Sequence, residues 1–218
     1  MTVHNQKSAS PPSAHRQAYR QDQQLYPVYN LTIKKPIVLV GLMGTGKTAL
    51  GSRLARILGV NFCDSDQMIE DQSNLSISDI FDIAGEGKFR EIEERVISEV
   101  LSGSPLVLST GGGAFCQDRT RAVIRDRAIS LWLDAEPETL ARRIGNTSSR
   151  PLLAKGDPVS ILTALAADRK PFYSQADLYL KTGLQSHRQS MKLLLDMLEQ
   201  SGHITKADNS RNRALLQS

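Results

Sequence analysis

Residues 41–48 read Gly-Leu-Met-Gly-Thr-Gly-Lys-Thr, a complete G-x-x-x-x-G-K-[ST] pattern. The stretch in front, Ile37-Val-Leu-Val40, is short and wholly apolar and predicts a buried strand. The stretch behind, Ala49 to Leu58, carries apolar residues at helical spacing. A strand that ends in a glycine turn and opens a helix is the geometry in which backbone N–H groups and a helix N-terminus surround a phosphate chain. Gly44, Thr45, Gly46, Lys47, Thr48 and Ala49 are the expected phosphate contacts. Lys47 would reach the outer phosphates and the Thr48 hydroxyl would hold Mg²⁺. The motif implies a bound nucleoside triphosphate.

The rest of the chain alternates between short apolar runs and helical patterns. Strands are expected at Ile37–Val40, Asn61–Asp64, Leu106–Ser109, Ala128–Leu133 and Leu178–Lys181. Helices are expected at 47–58, 66–72, 77–83, 87–102, 118–125, 137–144, 158–169 and 187–200. Ser76-x-x-Asp79 fits a helix start, and Pro137 and Pro158 suit first-turn positions. Five strands with crossover helices predict an α/β fold, a three-layer α/β/α arrangement around a five-stranded parallel sheet. Residues 36–200 form the expected domain. Residues 1–30 hold five glutamines and Pro11-Pro12 without apolar periodicity, and 1–35 are read as a disordered extension. Residues 201–218 are read as a flexible C-terminal tail.

Charge argues against a nucleic-acid partner. Residues 1–35 carry Lys7, Arg16, Arg20, Lys34 and Lys35 against Asp22 alone. Removing those five and one from 27 basic and 23 acidic residues leaves 22 of each in 36–218. The folded part has no net charge with which to grip a polyanion. No apolar run approaches the roughly 18 residues of a membrane helix. Cys63 and Cys116 have no metal spacing and no secretory segment ahead of them, which suits a reducing cytoplasm. None of the four histidines lies between residues 16 and 186, so a base in the main body must be a carboxylate, hydroxyl or lysine.

In an open parallel sheet, ligands bind beyond the carboxyl ends of the strands. Asp64-Ser65-Asp66 follows the second predicted strand, and two carboxylates two residues apart on extended chain face one side. One can serve the metal and the other a substrate hydroxyl; either can also be a helix cap. Gly111-Gly112-Gly113 follows the third strand. The glycines either let bare backbone approach a ligand or make a tight turn. Helix 87–102 puts Phe89, Ile92, Val96 and Val100 toward the core, with Glu91, Glu94 and Arg95 outward. Arg90 in its first turn is unfavourable for the helix dipole, which leaves a ligand-binding role or a solvated surface position. The polar stretch Gly145–Gly156, with Arg150 in its middle, has the composition of a mobile lid, or of an ordinary loop. Arg169-Lys170-Pro171 ends the next helix, where cations are favourable anyway.

Taken in order, Gly41–Thr48, Asp64-x-Asp66, Phe89-Arg90 with Ile92-Glu93-Glu94, Gly111–Gly113, Gly145-Asn146…Arg150-Pro151-Leu152-Leu153 and Arg169-x-Pro171-x-Tyr173 resemble shikimate kinase across residues 36–186. The resemblance implies a P-loop NTPase-type fold with a mobile lid, and Mg²⁺-dependent transfer of the ATP γ-phosphoryl to the 3-hydroxyl of shikimate. It implies Lys47, Asp66 and Arg150 as catalytic, with Asp66 on the ring hydroxyls as candidate base. Arg90 and Arg169 would clamp the substrate carboxylate with the glycines Gly111, Gly112 and Gly113 beside them. Arg150 would lie on the phosphates, Arg143 would flank the adenine, and Thr48 and Asp64 would serve the metal. A cytoplasmic monomer with ATP and shikimate as its partners is expected. The family's nucleotide-contacting arginine near the last strand has no match in register at Gln185-Ser186-His187-Arg188, which stays unassigned. Gluconate kinases, nucleoside monophosphate kinases and a nucleotide-binding protein without turnover are the competing readings.

Overall fold

Four residues, Ile37–Val40, form the middle of the sheet with no solvent exposure, as a strand covered on both faces must. The computed structural model of the chain describes residues 31–145, 153, 156–183 and 185–206. In chain order the elements are β1 (Leu31–Ile33), β2 (Ile37–Val40), α1 (Lys47–Leu58), β3 (Asn61–Asp64), α2 (Ser65–Ser73) and α3 (Ile77–Val100). There follow β4 (Leu106–Ser109), a 3-10 turn (Ala114–Cys116), α4 (Asp118–Arg127), β5 (Ile129–Asp134), α5 (Pro137–Ile144), α6 (Pro158–Tyr173), β6 (Leu178–Lys181), α7 (His187–Gln200) and β7 (Ile204–Lys206).

The expected five-stranded sheet is present in the order β3-β4-β2-β5-β6, and every neighbouring pair is parallel. Ile37 stands beside Val107 on one side and Ile129 on the other. From β2 the chain first builds β3 and β4 on one flank, then β5 and β6 on the other. The switch point therefore falls at the carboxyl end of β2, where residues 41–46 leave the strand.

Side chains alternate across β2 and divide the core. Val38 and Val40 pack with Ile97 of α3, Ile124 of α4, Leu140 of α5 and Leu162 of α6. Leu39 faces the other way, against α1. A Cβ on Gly51 would meet Leu39 Cδ1 at 2.7 Å, so that glycine lets α1 lie close on the sheet. Helices thus cover both faces.

Some boundaries differ from the sequence reading. The stretches read as extensions, 1–35 and 201–218, each contain a strand: β1 and β7 pair in a second, two-stranded sheet, with Leu31, Ile33 and Ile204 buried. Three-residue strands are too short to show periodicity. The helices expected at 77–83 and 87–102 run together as α3, broken in conformation at Gly85 (φ 77°, ψ 168°). Helix α6 continues through Pro171 to Tyr173, four residues past its expected end. Residues 1–30, 146–152, 154–155, 184 and 207–218 lie outside the described residues, and with them most of the expected lid, including Arg150.

Candidate active site

The P-loop is shaped by its glycines: Gly41, Gly44 and Gly46 all have positive φ (135°, 79° and 95°). Thr45, buried, ties the loop to itself by donating its hydroxyl to the Leu42 carbonyl at 2.8 Å. Gly46 is the N-cap of α1. Lys47 curls back over the loop, where its ammonium donates to the carbonyls of Gly41 (2.8 Å) and Leu42 (2.9 Å). The Arg143 Nη1 donates to the carbonyl of Gly44 and to the Thr182 hydroxyl, both at 3.3 Å, so α5 braces the loop from outside.

Asp64 closes β3 and does two jobs at once. Its Oδ2 accepts from the Thr48 hydroxyl at 3.1 Å, and its Oδ1 accepts the Asp66 N–H at 3.1 Å, capping α2. The segment is not extended throughout, as the sequence reading had it: Asp66 lies in the first turn of a helix. Both carboxylates still line the same cleft. Burial pushes the Asp66 carboxyl above its ordinary range, with the neighbouring Asp64 charge adding to the shift.

Facing them is the loop after β4. Gly111 donates its N–H to the Ser65 hydroxyl at 3.3 Å. A Cβ there would meet Asp66 Oδ1 at 2.7 Å and Glu93 Oε1 at 2.8 Å. A Cβ on Gly112 would meet Arg169 Nη1 at 3.0 Å, and one on Gly113 would overlap the Arg90 guanidinium. The three glycines are therefore needed for space: each leaves room for a charged side chain. Tyr173, buried in the last turn of α6, donates its hydroxyl to the Gly112 carbonyl and fixes the loop.

Helix α3 supplies Arg90 and Glu93. The Arg90 Nη1 donates to Glu93 Oε2 at 2.7 Å, and Nε and Nη2 both reach Glu86 Oε1, at 3.3 and 3.0 Å. Glu93 is fully buried, and its Oε1 and the Asp66 Oδ1 are buried acceptors without a protein partner. Burial raises the Glu93 carboxyl to about 7 despite the opposing pull of Arg90.

One cleft of about 630 Å³ is lined by the P-loop, Asp64, Asp66, Arg90, Gly111–Gly113, Arg143 and Arg169. Every expected site residue among the described ones is brought together there; Arg150 is outside them. Glu93, quoted only within the motif, His187, in the stretch that stayed unassigned, and Phe81 and Thr182, which the sequence reading did not single out, line the same cleft. Glu93 carried a signal, since it falls four residues after Phe89 and three before Val96 on the apolar stripe. This cleft combines P-loop amides and a lysine suited to phosphates, two guanidinium groups suited to an anion, and the carboxylates of Asp64, Asp66 and Glu93. Thr48 and Asp64 offer hard oxygen donors side by side, a set that suits Mg²⁺ held also by phosphates and water. No group of three or more His, Cys, Asp or Glu suited to a metal occurs among the described residues.

Comparison with known proteins gives the family and the fold. The family model described as shikimate kinase matches residues 43–199. A shikimate kinase of Caulobacter vibrioides is 47% identical over 167 residues, spanning 77% of this chain and 84% of that protein. The solved shikimate kinase from Acinetobacter baumannii in complex with shikimate superposes with a TM-score of 0.73 at 36% identity, covering 77% of this chain and 94% of that one. A gluconokinase from Sinorhizobium meliloti reaches 0.52 at 18% identity, over 78% of this chain and 94% of that one, a likeness of fold alone.

Proposed function

As the chain belongs to the shikimate kinase family, we propose that it transfers the γ-phosphoryl group of ATP to the 3-hydroxyl of shikimate, giving shikimate 3-phosphate and ADP. The observation that carries this reading is the single cleft in which the P-loop faces Arg90, Arg169 and Asp66. Shikimate is a small hydroxylated carboxylate. A planar guanidinium grips such an anion through parallel N–H bonds that lysine cannot reproduce.

In this reading the P-loop amides and Lys47 hold the triphosphate, and Arg143 borders the nucleotide end. The Arg90 and Arg169 guanidinium groups take the substrate carboxylate. Asp66 accepts hydrogen bonds from ring hydroxyls and receives the proton of the attacking one as the new P–O bond forms and the bond to ADP breaks. The raised proton affinity of Asp66 suits a group that must accept that proton. Gly112 lends its backbone beside the substrate. Thr48 and Asp64 would hold Mg²⁺, which neutralises phosphate charge when bound. Arg150 is the candidate phosphate-facing arginine by resemblance. Phosphoryl transfer asks for positioning and charge neutralisation, and no covalent nucleophile is required.

No helix among the described residues is long and apolar enough to cross a membrane. Cys63 and Cys116 are free thiols, consistent with our reading of a cytoplasmic monomer. The test is coupled ADP release with ATP, offering shikimate, gluconate and nucleoside monophosphates in parallel. Turnover confined to shikimate is the expected result. Turnover of another acceptor, or ATP binding without acceptor-dependent ADP release, overturns it.

A further inference from the structure

We propose that Glu86 is a positioning residue that presents Arg90 to the substrate carboxylate, an inference that rests on the shikimate kinase reading above. An arginine has five N–H donors in a fixed plane. In this structure Glu86 Oε1 takes two of them, one on Nε and one on Nη2, and Glu93 Oε2 takes one on Nη1. Two remain, one on each Nη nitrogen, which is the number a bidentate carboxylate needs.

The guanidinium is also held on its faces. The space above Gly113 is filled by its Cζ and both Nη nitrogens, and the Phe89 ring centroid lies 5.1 Å from Cζ. Three hydrogen bonds to two carboxylates and two packed faces thus leave little freedom except at the remaining donors. Of the two carboxylates, Glu93 is buried and Glu86 is on the surface, its side chain 64% exposed.

An i,i+4 ion pair with one partner on the surface is screened by water and adds little to stability, so the fold gains little from Glu86. Its effect falls on orientation. The backbone break at Gly85 makes Glu86 the first residue of the resumed helix, which sets it one turn before Arg90 on the same face. An acid there also offsets the unfavourable placing of Arg90 near a helix start.

The test is steady-state kinetics on Glu86→Ala, Glu86→Gln, Arg90→Ala and the Glu86→Ala/Arg90→Ala double variant. We expect Glu86→Ala to raise KM for shikimate about threefold to tenfold, with kcat and KM for ATP within about twofold of the parent. Glu86→Gln, which keeps an acceptor oxygen at the same reach, should recover part of the loss. The double variant should be no worse than Arg90→Ala alone. An unchanged or lowered KM for shikimate in Glu86→Ala overturns the proposal, as does an equal further loss in the Arg90→Ala background. The parent enzyme separates the two readings. If it fails on shikimate, the functional assignment falls; if it turns over normally while Glu86→Ala is indifferent, only the role of Glu86 falls.

Discussion

Glu93 is shut off from bulk solvent, with Arg90 bonded to it and the Arg169 charge close by. Its carboxyl titrates near 7 in the folded chain, against about 4.5 when exposed, because burial outweighs the Arg90 charge. The sign follows from proton counting: between those values the native state holds a proton that the unfolded chain has released, so stability falls as pH rises. Its contribution is full below about pH 4.5 and is lost by about pH 7, a swing on the order of 3 kcal/mol. Glu93→Gln, which cannot ionise, should flatten that decline. Thermal melting from about pH 5 to pH 8 checks it, and parallel curves for parent and variant count against the argument. Arg90 and Arg150 should separate in kinetics. Arg90→Ala removes a substrate-carboxylate contact and should raise KM for shikimate about tenfold to hundredfold. Arg150→Ala should mainly lower kcat, by about 10³–10⁵ if it acts on the transferring phosphate. Exchanged phenotypes refute those roles. The two residues also mark what sequence can reveal about a site. Arg90 stood out because a cation near a helix start needs a reason. Glu93 was passed over because its neighbours Glu91 and Glu94 face outward, and acidic runs on helices are normally solvated. Only its phase on the Phe89–Val96 stripe distinguished it.

Strand boundaries were largely legible: β2, β3, β4 and β6 fall on their expected residues, and β5 begins and ends one residue later than expected. β2 and β4 are wholly buried and, but for Ser109, apolar, whereas β3 and β6 are partly exposed edge strands that each end in a charged residue. The loop after β4 was legible only as a departure from ordinary structure. Three glycines in a row signal a close approach, but the sequence does not say to what. The approach is to this chain's own charged groups, Asp66, Glu93, Arg90 and Arg169. Gly113 gives the sharpest test at this scale. Its backbone (φ −95°, ψ −15°) is one that alanine adopts freely. Gly113→Ala should therefore add no backbone strain, and stiffening the unfolded chain favours the variant by about 0.4–1 kcal/mol; any loss of stability comes from shifting Arg90 off the buried Glu93. The added methyl lands on the Arg90 guanidinium. KM for shikimate should rise about tenfold, because small displacements of a positioned group cost that order of rate or affinity. Binding of a fluorescent ATP analogue should be unaffected, since the three atoms nearest the added methyl all belong to Arg90 and none to the P-loop. A parallel loss of nucleotide affinity would show that the loop serves the whole site.

The order β3-β4-β2-β5-β6 turns a linear string of motifs into one site, because it brings the strand ends that carry residues 41–48, 64–66 and 111–113 to adjacent places. The parallel five-stranded sheet and the placing of the motifs at its carboxyl edge were legible from the alternating pattern, but the strand order that makes those ends adjacent was not. Nor were the edges of the fold. Both flanking stretches are polar and lack periodicity, and each hides a three-residue strand whose only partner is the other. A pairing between positions about 170 residues apart leaves no local trace. It has a measurable consequence, since Leu31 and Ile33 are buried and β1 packs on α1. Residues 1–30 also hold Lys7, Arg16 and Arg20 against Asp22, a charge surplus that the site residues of the domain do not need for binding a small anion. A chain starting at residue 31 should keep the parent's melting temperature and its KM for both substrates. A chain starting at residue 36 loses two buried aliphatic side chains, each contributing about 1.5–3 kcal/mol. At roughly 2–4 °C per kcal/mol for a domain of this size, its melting temperature should drop by about 6–24 °C. Its active site lies at the other sheet, so kcat measured well below the melting point should be retained. If the shorter deletion already destabilises the chain, residues 1–30 contribute to the fold and are no dispensable extension. If the longer one leaves melting unchanged, the β1–β7 pair adds nothing to the stability of the domain.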